Sequence, residues 1–70
     1  MAHLLKSSSS IEHIDYHDDK DTLEIKFSSG AIYHYKDCEK DHFHALKGAA
    51  SAGAYFQKHI LGKYKYEKAT

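Results

Sequence analysis

Lysine and tyrosine side chains are interleaved near the end of the chain, and together they offer the chemistry that a nucleotide requires. A lysine ammonium neutralises a phosphate as a point charge, whereas a tyrosine ring can stack on a base. The alternative is a lysine-rich segment that is simply solvated. The candidate binding residues of this segment fall within nine positions: Lys58, His59, Lys63, Tyr64, Lys65 and Tyr66.

Two further pairs of residues offer related chemistry. Tyr33 and Tyr35 stand two positions apart in a predicted strand, so they share a face with Ala31. They either pack beneath helices, with each hydroxyl reaching a polar partner, or leave a ring exposed as a stacking surface. Ser51 and Gly53 stand where a helix is predicted to begin. They either cap that helix or let its free N–H groups bind a phosphate.

The seven histidines and the single cysteine do not form a recognisable catalytic or metal-binding pattern. His42 and His44 stand two apart in a predicted helix and therefore face different directions. His13 and His17 lie in a predicted strand, with no acidic or cysteine ligand at a metal-site spacing. Cys38 is interpreted as a small buried hydrophobic residue. We therefore expect no enzymatic activity, no metal and no cofactor.

Composition limits the partners and the location. Ten lysines balance ten acidic residues, so the net charge is zero. This argues against a protein that binds along a long polyanion such as a nucleic acid, because each neutralised phosphate needs a cationic contact.

A single cysteine excludes an internal disulfide. The apolar pair Leu4-Leu5 is too short for a signal-peptide core or a membrane span, so we expect a cytoplasmic protein with no membrane association.

Alternation of apolar and polar residues over 22–35 predicts a β-hairpin. Leu23, Ile25 and Phe27 share one face of its first strand, and Gly30 supplies the positive φ that a short hairpin loop needs. Residues 11–17 predict a preceding strand with a bulge near His13.

After Tyr35 the spacing becomes helical. Asp37 is predicted to cap a helix that begins at Cys38, and Ser51 is predicted to cap a second helix that Gly62 ends. The fold class is therefore α+β, a three-stranded antiparallel β-meander packed with two short α-helices. Residues 1–9 are predicted to be a flexible N-terminal lead-in, and residues 10–70 a single domain.

Several motifs in this order resemble the KTSC domain, which is named for the C-terminus of some lysyl-tRNA synthetases. The resemblance covers roughly residues 10–67, although Gln57 and Leu61 replace the Asn and Arg that are frequent in the family. It implies a short meander with two helices, and RNA binding has been suggested for the family. The family also occurs as small stand-alone proteins in bacteria and their phages. The matching segments are Ser10-Ile11, Ile14-Asp15-Tyr16, Leu23-x-Ile25-x-Phe27, Gly30, Tyr33-x-Tyr35, Ser51-x-Gly53-x-Tyr55-Phe56, Ile60 and Tyr64-x-Tyr66.

Three hypotheses of function follow. The first is a phage-type protein that sequesters a cyclic nucleotide immune signal in the host cytoplasm, since such a ligand needs only a few lysines. A chain of 70 residues can hardly enclose it, so this hypothesis expects a homo-oligomer, a dimer or a tetramer, with pockets between subunits. The second is an RNA-binding module. The third is a protein–protein interaction module that uses exposed aromatic residues.

Overall fold

The computed structural model describes residues 11–69, so the predicted lead-in at residues 1–9 lies outside the described residues. Four strands and two helices make up this part of the chain, which confirms the α+β class. In chain order they are β1 (Ile11–His17), β2 (Thr22–Phe27), β3 (Ile32–Tyr35), α1 (Lys40–Gly48), α2 (Ala52–His59) and β4 (Tyr66–Lys68).

The strands form one antiparallel sheet in the order β1-β2-β3-β4. The sheet therefore has one strand more than the predicted meander. The added strand β4 comes from the lysine–tyrosine segment, which pairs with the free edge of β3. Backbone bonds continue this pairing beyond the strand, from the Lys36 N–H to the Lys65 carbonyl (2.8 Å) and from the Ala69 N–H to the Ile32 carbonyl (2.6 Å). The predicted bulge in β1 is confirmed between Ile11 and His13.

A tight turn fixes the register of the β2–β3 hairpin. The Phe27 N–H donates to the Ala31 carbonyl (2.9 Å), and the Gly30 N–H donates to the Phe27 carbonyl (2.8 Å). Gly30 has a φ of 97°, as predicted, which a residue with a Cβ adopts only with strain. This loop places Glu24 directly opposite His34.

Both helices pack on one face of the sheet, and the core lies between these two layers. Leu23 and Ile25 of the central strand β2 are completely buried there. Within residues 11–69 neither helix covers the other face of the sheet, which we call the open face, and Glu24, Lys26 and His34 on it are partly exposed. Among the described residues, no helix is long and apolar enough to cross a membrane. The remaining buried hydrophobic residues are Tyr35, Cys38, Leu46, Phe56 and Ile60.

The first helix begins two residues later than the sequence predicts. Asp37 has a φ of 51° and does not cap the helix, which begins at Lys40 with Glu39 as its N-cap. Cys38 is instead drawn into the core, where its N–H donates to the Asp21 carbonyl (2.9 Å) and its carbonyl accepts from the Tyr16 hydroxyl (2.6 Å). Its backbone groups are therefore used in tertiary contacts rather than in a helix.

The two residues that directly follow α2 provide a test of this core. Ile60 is completely buried, whereas Leu61 is 51% exposed. Removing one methyl group in Ile60→Val should cost about 0.5–1.5 kcal/mol of unfolding free energy, measured by urea denaturation. The larger deletion Leu61→Ala should cost less than about 0.5 kcal/mol, because that side chain stays in water. The reverse order of the two losses would contradict this packing.

Cys38 predicts how stability depends on pH. Burial raises the pKa of its thiol from an ordinary value of 9.0 to about 11. Above pH 9 the thiol ionises readily in the unfolded chain but not in the folded protein. The contribution of Cys38 to the free energy of unfolding is therefore fully present below pH 9 and is lost as the pH rises toward 11. Urea titrations at pH 8 and pH 10.5 should show this decline, and Cys38→Ala should show a smaller one. Equal declines in the two proteins would exclude the thiol as the cause.

Candidate functional site

The structure divides the predicted binding residues between two aromatic groups and several isolated positions. Tyr33, Tyr35 and Tyr66 lie on β3 and β4 and form the group that we call the tyrosine stack. His59 and Tyr64 belong to a second group, the histidine–tyrosine cluster, together with His42 and Tyr55, which were not among the predicted binding residues.

The tyrosine stack is built by the pairing of β3 with β4. Tyr66 lies opposite Tyr35, so its side chain is on the same face of the sheet as those of Tyr33 and Tyr35. The rings of Tyr33 and Tyr66 are stacked, with centroids 5.5 Å apart and an angle of 28° between their planes. The ring of Tyr35 is 5.6 Å from that of Tyr66.

The three rings of the stack differ in exposure, and this separates core from surface. Tyr35 is 1% exposed and packs edge-on against Phe56, so it is a core residue, and burial raises its pKa to about 12. Tyr33 is half-buried, and its ring is steeply inclined to that of Phe27, with an angle of 71° between the ring planes. Tyr66 is 58% exposed. The stack therefore begins in the core and ends in a ring that solvent reaches.

A lysine that was not among the predicted binding residues shares the face of this exposed ring. Lys68 is opposite Tyr33 in the β3–β4 pair, which places its side chain on the face that carries the tyrosine stack. It also lines a depression of about 350 Å³ with Ser29, Gly30 and Ala31 of the hairpin loop. An aromatic ring and a cation thus lie on the same face at one edge of the sheet.

The histidine–tyrosine cluster links α1, α2 and the segment before β4. His42 Nδ1 is 2.8 Å from the Tyr55 hydroxyl, and its Nε2 is 3.0 Å from the Tyr64 hydroxyl. A neutral imidazole donates through one nitrogen and accepts at the other, so one hydroxyl accepts and the other donates. The His59 ring lies 4.3 Å from the ring of Tyr55. Burial is the main cause that raises the pKa of Tyr64.

The other predicted site residues lie outside both groups. Ser51 caps α2, since its hydroxyl accepts from the Ala54 N–H (3.2 Å), and Gly53 is buried in the first turn of that helix. The cap uses one of the N–H groups that a phosphate would need, which agrees with the capping interpretation. Lys58 and Lys63 are exposed and directly precede His59 and Tyr64 in the chain.

A depression of about 450 Å³ lies at the opposite end of the sheet from the hairpin loop, next to Tyr16 and Cys38. Its charge makes it unsuitable for a nucleotide. Four carboxylates line it against one lysine, Lys40, and that lysine is paired with Asp18 at 2.8 Å. An anionic ligand would be repelled there. The four acidic residues are Asp18, Asp21, Asp37 and Glu39.

The open face of the sheet holds the one group of metal-ligating residue types found among residues 11–69: His17, Glu24 and His34. The Glu24 carboxylate accepts hydrogen bonds from Nε2 of His17 (2.8 Å) and of His34 (3.2 Å). The bond from His17 is the main cause that lowers the pKa of Glu24. The spacing of the histidines along the chain did not reveal this group, because its members come from three strands. The register of the predicted β2–β3 hairpin could have placed Glu24 opposite His34, but it could not have added His17.

Comparison with known proteins identifies the family. The model of the KTSC domain matches residues 7–64. The chain belongs to the KTSC domain family. A crystal structure of a KTSC domain protein from Yersinia pestis has the same fold, with a TM-score of 0.83 and 33% sequence identity over 91% of this chain and 90% of that protein.

Relatives with this domain occur both in long proteins and in short ones. A lysine–tRNA ligase of Trichormus variabilis is 39% identical over 66 residues, which cover 93% of this chain and 12% of the ligase. A protein of Stutzerimonas stutzeri is 34% identical over 58 residues, which cover 83% of this chain and 82% of that protein. The chain thus spans a small part of the ligases and most of the second relative.

The contribution of the hydrogen bonds in the histidine–tyrosine cluster to stability can be tested by removing a single hydroxyl. Tyr64→Phe leaves one nitrogen of His42 without its tyrosine partner and should cost about 0.5–1.5 kcal/mol of unfolding free energy. Tyr66→Phe is the matched control, because its hydroxyl makes no hydrogen bond within residues 11–69 and its ring is exposed. Urea denaturation of both variants measures the difference. If the two variants had equal free energies of unfolding, the hydrogen bond of the Tyr64 hydroxyl would contribute no net stability.

Proposed function

We propose that this KTSC domain is a non-enzymatic nucleotide-binding module that uses the tyrosine stack as its base-binding surface. The observation that carries the proposal is the Tyr66 ring, which is 58% exposed and stacked on Tyr33 at 5.5 Å. A ring held on one side by a second ring loses little freedom when a base stacks on its other side, so its stacking energy is available for binding.

Charge supports the same surface. Lys68 shares the face of Tyr33 and Tyr66 and adjoins the small residues of the hairpin loop, which let a phosphate approach closely. A base on Tyr66 and a phosphate near Lys68 would therefore engage one nucleotide at one edge of the sheet. The exposed Lys58 and Lys63 add positive charge next to the histidine–tyrosine cluster.

The most concrete form of this proposal is a small phage-type protein that sequesters a cyclic nucleotide immune signal. Four depressions on the described part of the chain have volumes of about 210–450 Å³, and none of them is fully enclosed. A ligand held tightly enough to be sequestered must lose most of its contact with water. A second copy of the chain would supply the missing wall. We therefore propose a homo-oligomer, a dimer or a tetramer, with pockets built from α2 and residues 63–68 of neighbouring subunits.

RNA binding is the second candidate. Two observations favour it: the similarity to a segment of lysine–tRNA ligases and the openness of the tyrosine stack, which suits a single strand better than an enclosed ligand. In this form, successive bases would stack on the exposed rings while lysines contact the backbone.

Substitutions at Tyr66 test the module in either form. Tyr66→Ala should weaken nucleotide binding by about fivefold to a hundredfold, because it removes one base–aromatic stack. Tyr66→Phe keeps the ring and should bind within about twofold of the wild type. Fluorescence anisotropy with labelled cyclic dinucleotides and labelled single-stranded RNAs of 5 and 15 nucleotides provides the affinities. Unchanged binding by Tyr66→Ala, or no binding by the wild type to either probe, would overturn the proposal and favour a protein partner.

The sequestering form and the RNA-binding form of the proposal predict different results. An oligomer that carries stoichiometric cyclic dinucleotide in native mass spectrometry supports sequestration, whereas an affinity that rises with RNA length and falls steeply with salt supports RNA binding.

The role of the Lys68 charge can be tested in both forms. Lys68→Ala should weaken the binding of either ligand. Lys26→Ala is the matched control, because Lys26 lies on the open face of the sheet and should leave binding unchanged.

A further inference from the structure

The open face of the sheet brings two imidazoles and a carboxylate to one point. Glu24 lies on the central strand β2, and His34 is directly opposite it on β3. His17 is at the end of β1, two positions along from Asp15, the residue that pairs with Glu24. Three neighbouring strands thus contribute one side chain each, and the backbone pairing of the sheet fixes the spacing of their Cα atoms.

The ligand atoms are already at nearly the separation that a small cation needs. Nε2 of His17 and Nε2 of His34 lie 2.8 Å and 3.2 Å from Glu24 Oε1. Each of the three residues offers one ligand atom that lies within 4.8 Å of those of the other two. Ligands about 2.0–2.2 Å from a tetrahedral zinc ion are about 3.3 Å apart. Small side-chain rotations would therefore complete the triangle without moving the strands.

We propose that His17, Glu24 and His34 bind a divalent first-row metal ion, zinc above all, on the open face of the sheet. Two neutral imidazoles and one carboxylate form a ligand set that zinc accepts. Each imidazole presents the Nε2 lone pair once its proton resides on Nδ1, which requires only a change of tautomer. The cation then takes the place of the two Nε2 protons that His17 and His34 donate to Glu24 in the metal-free protein.

The surroundings leave one coordination position for a ligand from solvent. A depression of about 210 Å³ adjoins both histidines and is also lined by Lys20, Thr22, Lys36 and Glu67. Glu67 lies opposite His34 on β4, but its carboxylate is paired with Lys36 at 3.2 Å. Water therefore fits the fourth position, as in zinc sites with three protein ligands.

The competing explanation is a hydrogen-bonded His-Glu-His group that never binds a cation. Both explanations account for the observed distances, so direct metal binding must decide between them. Cobalt(II) is a suitable probe because it accepts the ligand set of zinc and absorbs visible light, with a spectrum that depends on its coordination.

The experiment is a titration of the untagged protein with cobalt(II), followed by displacement with zinc. The wild type should develop visible absorption bands with one cobalt per chain, and zinc should abolish them. His34→Ala and Glu24→Gln should each weaken the binding of both metals at least about tenfold. His13→Ala is the matched control, since His13 lies on the same strand as His17 but outside the group, and its affinity should stay within about twofold. Magnesium and calcium, which prefer oxygen ligands, should not compete.

Three results would overturn the proposal: no cobalt binding by the wild type at millimolar metal, equal binding by His34→Ala and the wild type, or an equal loss in His13→Ala. Circular dichroism verifies that each variant is folded. His34 provides the decisive variant if Glu24→Gln does not fold, because the side chain of His34 is 34% exposed and its removal leaves the core intact. These readouts involve neither Tyr66 nor a nucleotide, so the result is independent of the proposed function.

Discussion

The alternation of side chains along β2 is the constraint on which the rest of the structure depends. Leu23 and Ile25 are completely buried beneath the helices, and Glu24 between them points to the opposite face. Because side chains alternate strictly along a strand, a shift of one residue would move the core to solvent and the carboxylate into the core. The same register therefore holds the two layers together and sets Glu24 beside its two histidines.

The parts of the fold that follow from local pattern could be predicted from the sequence. The β2–β3 hairpin, the bulge near His13 and the cap at Ser51 each depend on neighbouring residues, and the structure confirms all three. The start of α1 and the strand β4 could not be predicted in this way. Cys38 lies outside the helix because of contacts with Asp21 and with β1, which are distant in sequence, and an extended three-residue segment becomes a strand only beside a free edge.

The candidate site was predictable by residue type and much less by arrangement. Tyrosines with spacing of two were expected to share a face, and Tyr33 and Tyr35 do so, but their contact with Tyr66 required the fourth strand. Ring-to-ring contacts across strands depend on register, which a single stretch of sequence does not carry. The partner of Tyr64 was missed for the same reason, since His42 is 22 residues away.

The two outer strands determine how copies of this chain can meet. An exposed strand edge offers unpaired backbone groups to another chain, and proteins limit this risk with short, bulged or charged edges. Here β1 is interrupted by a bulge, while β4 has three residues and includes Glu67 and Lys68. Neither edge is a good template for extending the sheet into a neighbouring molecule. An assembly of the kind proposed would accordingly join its subunits through side chains, and would be able to dissociate without breaking a shared sheet.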